Sequence, residues 1–505
     1  MAAPLGTATG AGAGEIASLA AAGERPAGRL LVGGDWVEAN GGRSFEVLSP
    51  ASGEPVGFAA DAGRPETMRA IEAATAAQPG WAALAAAERG RILDRAARQL
   101  EESSEEIARL IALETGKPLA EARGEVGYAA GFLRFYASEA ERALAPEPHA
   151  NSEGKRVASL RRPVGVAALI TIWNFPAAGI TRPLGAALAA GCATVVKPPE
   201  QAPLTAVAVF EALAKAGLPP GAANLVTTAE PERVTRELLG SEAVRKLSFT
   251  GSEGVGTMLL RESAAQLKRV TLELGGHAPF LVFADADLDA AVEGAVRSKF
   301  RNSGQTCVCA NRIYVEEPAY APYCERLAAR VSELRAGDPL EEDTEVGPLI
   351  DREALTKVER HVSDALERGG RLLCGGRSLS GPGAGAGLLY EPTVIADVPG
   401  EALIMREETF GPVAPLAPFR DAGEAVAAAN SLPWGLAAYV YGGDPERVRG
   451  IATRLEFGVV GVNDPLPAAP HLPFGGLKRS GLGKEGGRMG IEEFLDTQLV
   501  SVAAE

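Results

Sequence analysis

A cysteine, a glutamate and an asparagine in this 505-residue chain each stand where a reactive side chain can face a ligand. Cys307 lies in NSGQTCVCANR, after Gly304-Gln305-Thr306, between a predicted helix and a predicted strand. Backbone N–H groups in a polar, glycine-containing turn favour a thiolate, so Cys307 is a candidate nucleophile; a small buried core residue is the alternative. Glu273, in VTLELGG, ends an apolar strand before a Gly-Gly turn. It is either a surface turn residue or an acid/base group facing a cleft. A cysteine that carries an acyl group needs a base to activate the releasing water, so the pair suggests one chemistry. Asn174, in ALITIWNFP, follows a strand and precedes Pro176. Its amide can donate to a developing oxyanion, or simply stabilise the turn.

Two further segments suit a phosphate-bearing ligand. In SFTGSEGVG, Ser252 is set to cap a helix starting at Glu253, and Gly251 lets the backbone approach closely. A strand-to-helix turn offers N–H groups to phosphate. In VVKPPE, Lys197 and Glu200 follow a strand, where a doubly wound sheet holds its ligand. An exposed charged pair is the plainer reading.

The elements around these residues alternate. Residues 65–143 are expected to be helical, with Gly116 and Pro118 ending one helix. From Val157 onward, strand-like runs such as VGVAALITI, ATVVKP, ANLVTT and RKLSFTGS alternate with helices of about a dozen residues, which predicts a parallel sheet with crossover helices. APFLVFADAD, NRIYVEE and LYEPTVIADV belong to a second such series. LLVGGDWVEA reads as two short strands around a Gly-Gly turn. Residues 1–28, rich in Ala and Gly, read as a mobile tail without a secretory signal, and SLSGPGAGAGLL (378–389) as a surface loop.

Composition narrows the function. Fifty Lys+Arg against 65 Asp+Glu give a net charge of −15, which disfavours nucleic acid and anionic membranes as partners. The apolar stretch Val164–Ile180 is broken by Asn174 and Pro176, so a membrane span is not expected. Five scattered cysteines fit a reducing, cytoplasmic compartment. The four histidines lack metal-ligand spacing, and neither a Cys-x-x-Cys nor a G-x-S-x-G elbow is present, so no metal and no serine hydrolase are expected.

Taken together, WNFP (173–176), VVKPPE (195–200), FTGSEGVG (249–256), LELGG (272–276), GQTC (304–307), EETFGPV (407–413) and PFGGLKRSGLGKEGG (473–487) resemble, in order, the motifs of the aldehyde dehydrogenase superfamily over about residues 29–505. The resemblance implies an α/β aldehyde dehydrogenase fold. A Rossmann-like cofactor domain would span 29–144 and 166–272, an α/β catalytic domain 273–485, and a small β oligomerisation arm 145–165 and 486–505. It implies a homodimer or homotetramer acting on a small-molecule aldehyde. Cys307 would attack the aldehyde, with Asn174 and the Cys307 N–H as oxyanion hole. Glu273 would activate water against the thioester; coenzyme-A-acylating relatives typically lack that carboxylate. The cofactor, NAD or NADP with NAD favoured by Glu200, would meet Ile172, Trp173, Lys197, Glu200, Gly251, Ser252, Val255, Gly275, Glu408 and Phe410.

Within the family, FRNSGQTCVCANR and WNFPAAGITRPLGAALAAGC are most similar to succinate-semialdehyde dehydrogenases. That likeness implies a substrate site of Arg182, Arg301, Phe175 and Phe474, with Cys309 a candidate redox partner of Cys307. Another small anionic or aromatic aldehyde is the alternative substrate, and a binding protein with a dead site is the alternative class. The chain departs from the pattern at Ile172 (usually Pro), at Thr228 and Glu230 (often Gly), and at Ala468, where a serine often completes the carboxylate site.

Overall fold

The computed structural model describes residues 15–503 apart from 22, 25, 150–153 and 380–384. Two large sheets carry the site. The first has eight strands in the order Gly481–Leu482, Arg269–Glu273, Val244–Thr250, Val166–Ile170, Thr194–Lys197, Ala223–Leu225, Leu30–Val32 and Asp35–Val37. Its five middle strands, from Arg269–Glu273 to Ala223–Leu225, run parallel. Strand Val166–Ile170 is fully buried, the continuous apolar run expected where helices cover both faces. Chain order reverses beside it: Thr194–Lys197 and Ala223–Leu225 extend to one side, Val244–Thr250 and Arg269–Glu273 to the other. The crevice outside the carboxyl ends of two strands at such a reversal is the ligand site of doubly wound sheets. The segments leaving those ends are Ile172–Trp173–Asn174 and Gly251–Ser252.

The second sheet orders Arg371–Cys374, Thr393–Ala396, Val413–Phe419, Ala310–Glu316, Ala278–Val282, Ala437–Tyr441 and Val459–Val462, parallel except for the first. The predicted helical stretch is four helices, Arg64–Ala83, Ala86–Glu102, Ser104–Thr115 and Leu119–Leu144, with Gly116 in the left-handed region ending the third. A separate three-stranded sheet joins Glu147–Pro148, Lys155–Pro163 and Leu495–Ala503.

One boundary differs from the expectation. The tail expected over 1–28 lies outside the described residues for 1–14, but Glu15–Ala21 is a helix. Its Ile16, Ala17 and Ala20 are buried against helices Ser104–Thr115 and Pro203–Lys215. Strand Ala27–Gly28 then pairs in parallel with Pro55–Ala60. Spacing of i, i+1 and i+4 puts those three residues on one face, which alanine-rich composition conceals. Gly481–Leu482, within the stretch 273–485 expected as the catalytic domain, adds an antiparallel edge strand beside Arg269–Glu273 in the first sheet. The expected loop at 378–389 lies partly outside the described residues.

Candidate active site

Cys307 follows a turn built from left-handed backbone. Asn302 (φ 50°), Ser303 (φ 56°) and Gly304 (φ 76°) succeed one another after helix Leu288–Lys299. Such geometry is costly for residues with a Cβ and persists only where surroundings hold it. Here Asn302 N–H donates to Glu121 (2.7 Å), and Ser303 hydroxyl to the Gly347 carbonyl (2.9 Å). A side chain at Gly304 would strike the Gly411 carbonyl at 2.1 Å. These contacts hold the backbone that leads into Cys307.

Two cavities meet at that thiol. The first, about 430 Å³, is lined by Ile172, Trp173, Gly251, Ser252, Gly275, Glu408 and Phe410. The second, about 370 Å³, is lined by Phe175, Arg301, Tyr128, Phe132 and Ala468. Ile172, Asn174, Arg182, Thr250, Cys307 and Phe474 border both. Of the residues expected to meet a cofactor, Lys197, Glu200 and Val255 lie outside the first cavity's lining. Lys197 ends its strand buried, 3.5 Å from Glu200. Burial pulls its ammonium below the usual range, and Glu200 partly offsets this.

Electrostatics at the junction are set by burial. The thiol faces the cavities but lies deep in the protein, and this pushes it up to about 12, against the pull of Arg182. Burial thus outweighs the stabilisation of a thiolate expected from the turn. Glu273 ends its strand buried, with neither carboxylate oxygen hydrogen-bonded. Burial, and then the charge of Glu485, raise it well above the carboxylate range. Asn174 Nδ2 donates to the Gln305 carbonyl (2.9 Å), which ties it to the cysteine turn. Cys309 is fully buried, sharing a hydrogen with Thr306 Oγ1 (2.9 Å), so a bond to Cys307 requires it to leave that position.

The first cavity suits a dinucleotide. Ser252 occupies the N-cap position, but its side chain makes no capping bond, contrary to expectation, so the first-turn N–H groups stay uncapped. Gly275 allows close approach of Glu408, whose carboxylate would sit 2.8 Å from a Cβ there. Glu408 accepts from Gly276 N–H (3.2 Å), and burial raises it to about 7. Trp173 and Phe410 meet edge to face, centroids 5.7 Å apart. Among the described residues no cluster could hold a metal ion.

The second cavity contains charges that sequence reasoning missed. Lys117, fully buried, bonds Glu125 and donates to the Asn174 backbone carbonyl (2.8 Å). Glu125 in turn accepts from Ala177 N–H (2.9 Å) and Ala178 N–H (3.3 Å), holding the start of helix Ala178–Ala190. Glu121, Glu125, Tyr128 and Phe132 fall on one face of helix Leu119–Leu144. Arg182 pairs with the buried Glu485 (2.6 Å) and lies over the Phe474 ring at 4.8 Å. Arg301 lies over Phe175 at 5.4 Å, its Nε without a hydrogen-bond partner, and it forms no ion pair among the described residues.

Comparison with known proteins matches this geometry to a family. The family model described as "Aldehyde dehydrogenase family" matches residues 36–500. A glutarate-semialdehyde dehydrogenase of Pseudomonas putida is 48% identical over 94% of this chain and 98% of its own. A succinate-semialdehyde dehydrogenase [NADP(+)] of Escherichia coli is 47% identical over 94% and 97%. The crystal structure of a succinate-semialdehyde dehydrogenase from Burkholderia pseudomallei superposes with a TM-score of 0.92 at 45% identity, covering 94% of this chain and 98% of that one. With its parallel sheets, its thiol-centred cavities and these matches along nearly the whole chain, the protein belongs to the aldehyde dehydrogenase family and carries out NAD(P)-dependent aldehyde oxidation.

Proposed function

We propose that the chain oxidises a short aldehyde carrying a far-end carboxylate, succinate semialdehyde first, through a thioester on Cys307. The observation that carries this reading is the second cavity: it leads to Cys307 and is bordered by Arg182 and Arg301. The relatives named for succinate and glutarate semialdehyde point the same way. A panel of succinate semialdehyde, glutarate semialdehyde, butyraldehyde and benzaldehyde tests it. Succinate semialdehyde should have the highest kcat/KM, and the acid one methylene longer should follow within about 200-fold, the discrimination a methylene allows. A neutral aldehyde in first place overturns the proposal.

The roles follow from position. Cys307, once deprotonated, attacks the aldehyde carbon, and Asn174 Nδ2 with the Cys307 N–H would stabilise the oxyanion. When bound, the nicotinamide would accept the hydride that leaves the thiohemiacetal carbon. Glu273 then takes a proton from the water that attacks the thioester, and the acid departs. Ser252 and the first-turn N–H groups would meet the pyrophosphate, Glu408 the nicotinamide ribose, and Lys197 and Glu200 the adenosine ribose. In this reading the eight-stranded half binds the cofactor and the other half supplies the thiol. The three-stranded sheet would be the oligomerisation arm, with Leu499 and Val502 exposed on its edge strand.

Two predictions arise here. Both Cys307 and Glu273 are raised by burial and both act deprotonated, so activity should climb with pH. Between about pH 6 and about pH 9, kcat/KM, which reports the thiol before acylation, should rise by up to about tenfold per unit, and kcat, which includes thioester hydrolysis, should rise as Glu273 is deprotonated. A flat or falling profile contradicts these assignments. The second concerns the cofactor. Glu200 disfavours a 2′-phosphate by like charge, but Lys197 beside it cancels part of that repulsion. NAD should be favoured over NADP by no more than about tenfold in kcat/KM. A preference for NADP, in line with the Escherichia coli relative's name, overturns the Glu200 argument.

A further inference from the structure

We propose that Trp434 and Arg479 form a latch that holds the Glu253 carboxylate off the first turn of helix Glu253–Ala264, leaving that turn open to the dinucleotide pyrophosphate. The inference rests on the cofactor reading of the first cavity.

Glu253 is the first residue of its helix, and the first intrahelical bond runs from Gly256 N–H to the Ser252 carbonyl (2.9 Å). The N–H groups before Gly256 therefore lack helical acceptors. A carboxylate in a first turn is drawn to those groups and to the positive end of the helix dipole. Unrestrained, Glu253 would fold back over the turn and oppose an anionic ligand by like charge. Positive charge is scarce around this cavity. Its lining also holds Glu273, Asp351, Glu353 and Glu408, against Lys357 and Arg182.

Both Glu253 oxygens are instead occupied by side chains from another segment of the chain. Oε2 accepts from Trp434 Nε1 (2.7 Å), and Oε1 pairs with Arg479. The two partners share one small ladder: strand Trp434–Gly435 pairs antiparallel with Leu477–Lys478, and Arg479 N–H donates to the Pro433 carbonyl (3.0 Å). Trp434 is steadied by stacking on His277, centroids 6.2 Å apart and planes 18° apart. His277 Nε2 bonds the Glu407 carbonyl (3.0 Å), the residue before Glu408. A chain of contacts thus links the helix turn to the Glu408 segment through side chains outside the thiol's immediate surroundings. Trp434, Arg479 and Glu253 are positioning residues, acting on the cofactor through the charge they place or remove.

The test is equilibrium binding of NADH and of NADPH, followed by nucleotide fluorescence with the purified full-length chain and no aldehyde. Arg479→Gln and Trp434→Phe, the latter keeping an aromatic ring against His277, should each raise Kd for both nucleotides roughly threefold to tenfold. The loss should shrink as salt is added, because part of the repulsion is solvent-screened. Adding Glu253→Gln to either variant should return Kd to within about twofold of wild type, since the isosteric amide carries no charge. A purely structural role would give the same loss with Gln at 253, and that result overturns the latch. So does unchanged Kd in both single variants. If wild type binds neither nucleotide, the cofactor reading itself fails and the latch falls with it.

Discussion

Cys307→Ala leaves no aldehyde-dependent formation of reduced cofactor, a fall of at least about a thousandfold, because no other side chain at the junction can form the acyl bond. Glu273→Gln gives a different trace. The thiol still acylates, so about one equivalent of reduced cofactor per site appears as a burst, and turnover then stalls for want of a base. Glutamine keeps the size and polarity of this buried side chain and removes only its charge, so the variant should fold like wild type. Stopped-flow absorbance at 340 nm separates the two variants. Steady turnover near wild type in either one, or the absence of a burst in Glu273→Gln, removes the residue from its proposed role.

The two arginines are expected to differ. Arg182 already answers the charge of Glu485, whereas Arg301 has no ion pair among the described residues. Arg301→Ala should therefore cost roughly 1.5–3 kcal/mol in kcat/KM for succinate semialdehyde, the range of a charged hydrogen bond, and little for butyraldehyde. Arg182→Ala should harm both substrates. It strands Glu485 as a buried charge beside Glu273, raises Glu273 further and shifts the pH profile to higher pH. Equal losses for both substrates in Arg301→Ala refute the carboxylate contact.

What could be read from the sequence follows a physical division. Buried parallel strands such as Val166–Ile170 and Ala278–Val282 leave unbroken apolar runs just after glycines, so both sheets were legible. Residues from motifs more than a hundred positions apart, Trp173, Gly275 and Phe410 among them, do line one cavity. Long-range charge pairing was not legible. Nothing local in TRPLG says that Arg182 will meet Glu485, and nothing in ETGKP says that Lys117 will hold the Asn174 carbonyl. Ser252 looked like a cap from its residue type alone, but capping depends on a side-chain rotamer that composition does not determine. Glu15–Ala21 is too short for its periodicity to stand out among alanines, and its burial depends on two helices far along the chain.

The approach of two cavities to one sulfur from different sides has a pharmacological consequence. If the first cavity holds the dinucleotide as proposed, a small electrophile entering by the Arg301 side should still label Cys307, so saturating nucleotide should not protect the thiol. A blocker confined to the Trp173–Phe410 side would instead stop turnover and leave the thiol open to alkylation. Rates of labelling measured with and without nucleotide would therefore report which doorway a compound uses.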